Sequence, residues 1–224
     1  MNKLIENTKL RDKQYVFEDR IEAGRLLVKW LKNYKGSDGI VLAIPSGGVP
    51  VAAEAAKALR LPMDLLIVRK IQIPYNPEAG FGAIGPEEEI ILNKELLTGL
   101  NLTEEEIKIQ IEKARDIIKK RNQLFREGQP FPSLKDKIVI AVDDGLASGY
   151  TMLAAIRFIR KKSPKKIVIA VPTASKRTAE LVLSETDELI CLNVRSGFPF
   201  AVADAYENWY DLTDEEVISI IRTK

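Results

Sequence analysis

Histidine does not occur anywhere in the 224 residues. That absence removes Ser-His-Asp hydrolases, Cys-His proteases and His-ligated zinc sites from consideration. Any proton transfer must use Asp, Glu, Lys, Tyr or the substrate itself. Cysteine is nearly as scarce, with Cys191 alone inside the apolar run ELICL. One thiol builds no disulfide framework within a chain and reads as a small core residue rather than a nucleophile. Charge of one sign is lacking too: 34 basic residues face 32 acidic ones, so no bulk field points to nucleic acid or a membrane surface. No apolar run approaches the ~20 residues of a membrane span, and the start MNKLIENTKLRDKQ has no signal-peptide core. The expectation is a soluble cytoplasmic protein, with no nucleic-acid and no membrane partner.

What is present alternates. Phe17 to Leu31 has helical apolar spacing, GIVLAI (Gly39 to Ile44) reads as a strand, PSGG as a loop and VPVAAEAAKAL as a helix. MDLLIV is the next strand, followed by a Pro/Gly-rich segment from Arg69 to Pro86 and a short strand at EIILN. Thr103 with Glu106 three residues on is a capping-box signature. It opens a long helix with the stripe Ile107, Ile111, Ala114, Ile118 and Phe125. Then follow KIVIAV, a helix to about Arg160, a second KIVIAV, a helix near Ser175 to Leu183, the strand ELICL and a last helix from Thr213 to Ile221. Alternating strands and helices predict one α/β domain over 1–224, a mostly parallel central sheet with helices on both faces.

GFGAIG, Gly80 to Gly85, carries the letters of the dinucleotide fingerprint, but no strand–turn–helix context surrounds it, so a hairpin or loop is expected. No P-loop motif occurs. The informative stretch is KIVIAVDDGLASGYTM: an apolar strand ending in Asp143 and Asp144, then small residues, then a helix. Gly145, Ala147, Ser148, Gly149, Tyr150 and Thr151 lead into that helix, so backbone N–H groups and a helix N-terminus form an anion site suited to phosphate. Acids beside such a site suit a sugar phosphate, the carboxylates accepting from ribose hydroxyls. A receiver domain also has an Asp pair, but it needs the acids after the first strand, and here about half the chain precedes them.

The run Asp143-Asp144, short loop, Ser148-Gly149, Thr151 resembles the PRPP-binding motif of type I phosphoribosyltransferases. FEDRIEAGRLL, VLAIPSGGVPVAAEAAKAL, DLLIVRKI, NPEAGFGAIG and FAVADAYENWYDLTDEEV extend the likeness from Phe17 to Ile221, toward a group of poorly characterised phosphoribosyltransferases. The resemblance implies that Asp143 and Asp144 hold the ribose hydroxyls and stabilise charge at C1′, and that 147–151 cradle the 5′-phosphate. It implies a pyrophosphate loop at Ser46, Gly47 and Gly48, with Arg69 and Lys70 adding positive charge. It further implies a mobile loop at about 70–88, a small hood subdomain at about 193–210, Mg²⁺ held chiefly by substrate, and a homodimer.

The chain departs from the pattern at Ser46, where the group usually has Arg, and at Ala147, where enzymes for 6-oxopurines carry Asp. Lys176 falls near the Lys with which those enzymes read the base, or is a solvated residue at a helix start; Phe200 or Tyr206 stacks on a base, or both pack in the hood. Three functions remain open: phosphoribosyl transfer from PRPP to a nitrogenous base, a PRPP- or nucleotide-sensing regulator without turnover, and a ribose-phosphate hydrolase.

Overall fold

Two interleaved apolar sets along each strand decide the architecture. In β2 (Gly39–Ala43) the side chains of Val41 and Ala43 enter one core, and those of Ile40 and Leu42 enter the other. In β7 (Ile138–Val142) Ile140 and Val142 are divided in the same way from Val139 and Ala141. Successive strand residues point to opposite faces, so a continuous apolar run requires a sheet covered on both sides. The computed structural model describes residues 2–127 and 129–222, apart from the side chains of Pro77 and Glu78.

The main sheet has six strands, all parallel, in the order β1 (Lys3–Glu6), β9 (Glu188–Arg195), β8 (Lys166–Ser175), β7, β2, β3 (Met63–Leu65). Helices α1 (Arg20–Leu31) and α2 (Gly48–Leu59) bury Leu27, Leu31, Val51 and Leu59 on one face. On the other, α5 (Tyr150–Lys161) and α6 (Lys176–Ser184) bury Ile156, Phe158, Ile159 and Val182. The sequence places α1 three residues too early: Asp19 caps it, its carboxylate accepting from Glu22 N at 2.8 Å, while Phe17 bridges to Tyr206. Cys191 is fully buried in β9, and burial pushes its thiol pKa up, as expected of a core residue.

A second sheet of three antiparallel strands, β4 (Arg69–Ile73), β5 (Asn76–Ile84) and β6 (Ile90–Leu92), packs beside the first. The Gly/Pro-rich segment is therefore mainly hairpin, the first of the two forms expected for GFGAIG, which lies in β5 and its end rather than before a helix. Apolar burial explains why it is ordered: Ile71, Phe81 and Ile84 are almost fully enclosed, each contributing ~1.5–3 kcal/mol. The helix α4 (Glu104–Arg126) lies against β4 and starts with the anticipated capping box, Thr103 N donating to Glu106 at 2.9 Å and Glu106 N to Thr103 Oγ1 at 3.2 Å. Between β6 and α4 a short helix, α3 (Lys94–Leu100), went unforeseen, as did edge strand β1. The last helix, α7 (Asp214–Arg222), docks on α2. Among the described residues no helix is long and apolar enough to cross a membrane.

Candidate functional site

β2 leads outward to β3, whereas β7 leads through β8 to β9 on the opposite side. The strand order thus reverses between β2 and β7, and in open α/β sheets ligands bind beyond the carboxyl ends of strands at that point. The segment after β2 carries Ser46, Gly47 and Gly48; the segment after β7 carries Asp143 and Asp144. They touch. A Cβ at Gly47 would lie 1.9 Å from Asp144 Oδ2, and one at Gly48 would lie 2.7 Å from the Val142 carbonyl and 2.8 Å from Asp143 Cα. Only glycine at 47 permits this approach. The Pro45–Ser46 peptide is cis.

The acids are partly buried and held from below. Asp143 Oδ1 accepts from Asp144 N at 2.9 Å, and Asp144 Oδ2 accepts from Arg20 Nε at 2.9 Å. Arg20 is 6% exposed, donates to the Tyr210 carbonyl at 2.8 Å and stacks 3.9 Å from the Trp209 ring centroid. Tyr206 donates its hydroxyl to the Asp144 carbonyl at 2.6 Å. Burial, reinforced by the neighbouring carboxylate of Asp144, pushes the Asp143 pKa well up. Burial raises Asp144 as well, against the opposing pull of Arg20.

The phosphate-loop candidates follow directly. Gly145 packs under Val202, and Leu146 bridges to Ala174, its N–H donating to the Thr173 carbonyl at 3.0 Å. Ala147 and Ser148 are exposed, while the Ala147 carbonyl accepts from Thr178 Oγ1 at 2.6 Å. Gly149, with φ of 81°, turns the chain into α5, which begins at Tyr150 with Thr151 next. The loop is thus backed by the start of α6, and the N-terminus of α5 opens beside it.

The cationic candidates divide. Arg69 and Lys70 are neighbours on β4, so their side chains leave on opposite faces, Arg69 opposite Ile84 of the first core and Lys70 opposite Ala83 of the second. Arg69 Nε is buried with no hydrogen-bond partner, and burial together with Arg121 lowers the Arg69 pKa. Arg121 Nη2, from α4, donates to Ser46 Oγ at 3.3 Å and to Asp214 Oδ1 at 3.1 Å. Lys176 is exposed at the first residue of α6 and lines a small cavity with Glu6, Arg11 and Ser196. Phe200 sits 5.1 Å from the Arg195 guanidinium. Different neighbours hold these last two residues.

Sequence reasoning missed Arg20 and Arg121. Their partners lie 124 and 75 positions away, and no local pattern distinguishes them from surface arginines. The one available signal is Arg20 at the first position of a helix whose next turns are apolar.

Residues 18–206 match the family model described as phosphoribosyl transferase domain. A Mycobacterium tuberculosis protein named "Putative phosphoribosyl transferase Rv0571c" is 36% identical over 206 residues, 92% of this chain and 46% of the relative. The chain therefore spans about half the length of the curated relatives it matches. The crystal structure of TT1426 from Thermus thermophilus is similar with a TM-score of 0.73 and 34% identity, over 92% of this chain and 97% of that one. A hypoxanthine phosphoribosyltransferase from Staphylococcus aureus shares the fold, with a TM-score of 0.50 at 13% identity over 90% and 88% of the two chains. From its residues 18–206, the chain belongs to the phosphoribosyl transferase domain family.

Proposed function

We propose that this protein binds PRPP with Mg²⁺ and transfers the 5-phosphoribosyl group to a nitrogenous base, releasing pyrophosphate. One observation carries the reading: the Ser46–Gly48 segment and the Asp143–Asp144 pair meet where the strand order reverses, with α2 starting at Gly48 and α5 at Tyr150. Two helix N-termini and two carboxylates then serve a ligand that is anionic at both ends and hydroxylated between them.

In this reading Asp143 and Asp144 accept from the ribose hydroxyls and stabilise positive charge building at C1′. Backbone N–H groups of 147–151 and the Ser148 and Thr151 hydroxyls hold the 5′-phosphate. Gly47 and Gly48 present backbone to the pyrophosphate, and Arg69 adds charge to it, whereas Lys70 leaves β4 on the opposite face. The C1′–oxygen bond breaks with its electron pair leaving on pyrophosphate, and the acceptor nitrogen bonds C1′ and then loses its proton. Exclusion of water by the segments at 70–88 and 193–210 favours the base over hydrolysis. Phe200 and Lys176 are the residues proposed to meet the base.

Mg²⁺ supplies charge neutralisation of the pyrophosphate. Among the described residues no group of three or more His, Cys, Asp or Glu could hold a metal. The two adjacent carboxylates fit an ion kept chiefly by substrate oxygens and water.

The test is calorimetric titration of Mg-PRPP into wild type and Asp144→Asn, with circular dichroism confirming the fold. The reading expects saturable binding by wild type, weakened about tenfold or more in the variant. No binding by wild type would overturn it. Binding without turnover on any base would move the protein to the sensing role.

A further inference from the structure

We propose that Thr178 is a positioning residue for the phosphate loop: its hydroxyl, reaching across from α6, draws the Ala147 carbonyl away from the ligand and so turns the Ser148 N–H toward it. The inference rests on the PRPP reading for the identity of the ligand, while the contacts that carry it belong to this chain's own loop.

A trans peptide points its C=O and its N–H in opposite directions, so fixing one fixes the other. In an exposed loop the peptide between Ala147 and Ser148 could offer an anion either face, and a carbonyl turned toward a phosphate repels it. Thr178 Oγ1 donates to the Ala147 carbonyl at 2.6 Å. A second contact directs that proton. Ser175 Oγ donates to Thr178 Oγ1 at 2.8 Å and itself accepts from Thr178 N at 3.2 Å, which leaves the single Thr178 hydroxyl proton for the carbonyl. The Ala147 carbonyl therefore faces α6, and the Ser148 N–H faces the other way, with α5 beginning two residues on.

Further contacts hold the peptide in this setting. Leu146, just before it, donates its N–H to the Thr173 carbonyl at 3.0 Å and accepts from Ser175 N at 3.4 Å. Gly149, just after it, has a φ of 81°, and a Cβ there would stand 2.7 Å from Thr178 Cγ2. Thr178 is only 5% exposed, so neither of its branches serves solvent. The hydroxyl branch takes Ala147 and the methyl branch closes on Gly149. Capping of α6 explains neither contact, because Ser175 is its N-cap and the Thr178 hydroxyl reaches 31 positions back along the chain.

The experiment titrates ribose 5-phosphate, and separately Mg-PRPP, into wild type, Thr178→Val and Thr178→Ser, with thermal melting of each. Valine keeps the methyl branch and loses the donor; serine keeps the donor and loses the methyl. Both ligands should bind Thr178→Val about tenfold more weakly, and Thr178→Ser within about threefold of wild type. Each variant gives up one contact, so their melting temperatures should fall by similar amounts while their affinities diverge. A residue that only braced the fold would make affinity follow melting temperature. Equal losses of affinity in the two variants, or unchanged affinity in Thr178→Val, overturn the inference and leave the PRPP reading standing. Ribose 5-phosphate binding that depends on the Thr178 hydroxyl, in a protein that does not bind Mg-PRPP, keeps the inference and sinks that reading.

Discussion

Gly47 and Asp144 occupy adjoining space: the absent Cβ of the first would stand 1.9 Å from Oδ2 of the second. Oδ2 is also the atom that accepts from Arg20, so Asp144 cannot yield without breaking that ion pair. Gly47→Ala should therefore push the carboxylate aside and weaken Mg-PRPP binding by about tenfold or more, the scale of a lost charge-assisted hydrogen bond. Gly99 provides the contrast. It lies in α3 with nothing within 4 Å of where a methyl would stand, and Gly99→Ala should leave binding alone and add up to ~1 kcal/mol of stability. Equal effects on binding from the two alanines would contradict the contact.

Arg20 joins three parts of the molecule: α1, the acidic pair and the segment at Trp209 and Tyr210. Arg20→Ala leaves Asp144 partly buried without its cation, and breaking a buried pair from one side costs roughly 3–5 kcal/mol. Urea denaturation should show a loss toward the lower end, since Asp144 is 14% exposed. A change under about 0.5 kcal/mol, ordinary for a surface arginine, would mean the pair is not holding the segment.

Asp143 is costly to the ligand-free protein because burial and the Asp144 carboxylate both oppose its ionisation. Its folded pKa is raised above the unfolded value of about 3.9, so the folded state binds a proton more tightly. Stability from this group is present below the unfolded pKa and is lost as pH rises through the folded pKa. Asp143→Asn keeps an oxygen for the Asp144 N–H and removes the charge. It should raise Tm at neutral pH by about 2–4 °C, the shift produced by about 1 kcal/mol in a chain of this size, while weakening Mg-PRPP binding. A lower Tm would show that the ionised carboxylate is instead compensated within the fold.

The same group sets a pH dependence for the ligand. A carboxylate accepts ribose hydroxyls best when ionised, so Mg-PRPP affinity should rise with pH across the raised Asp143 titration and flatten above it. In Asp143→Asn that rise should shrink. An identical profile in the variant would assign the dependence to another group.

Much of the fold was legible because its determinants are local. Thr103 and Glu106 announce α4 within four residues, and the β-branched run before Asp143 announces β7. The glycines beside the acids were legible as a class of loop. What could not be read is what distant segments impose. Strand β1 has a half-exposed, four-residue pattern and owes its conformation to pairing with β9 some 185 positions away, as in Lys3 with Glu188. Of the small sheet, β6 is legible in EIILN, but β4 and β5 hide in a Gly/Pro-rich stretch because their burial comes from α4 and α5, outside their own sequence. Arg20 and Arg121 look like surface charges until tertiary packing brings them to Asp144 and Ser46. Arg69 and Lys70 read as one cationic pair, and the strand separates them by its two-residue repeat.

The measurement that bears most directly on the central claim is pyrophosphate release from Mg-PRPP across purine, pyrimidine and small heterocyclic bases, with Asp144→Asn as control. The account predicts release with at least one base, abolished or strongly reduced in the variant. Wild-type protein that binds no PRPP and releases no pyrophosphate with any base would contradict it.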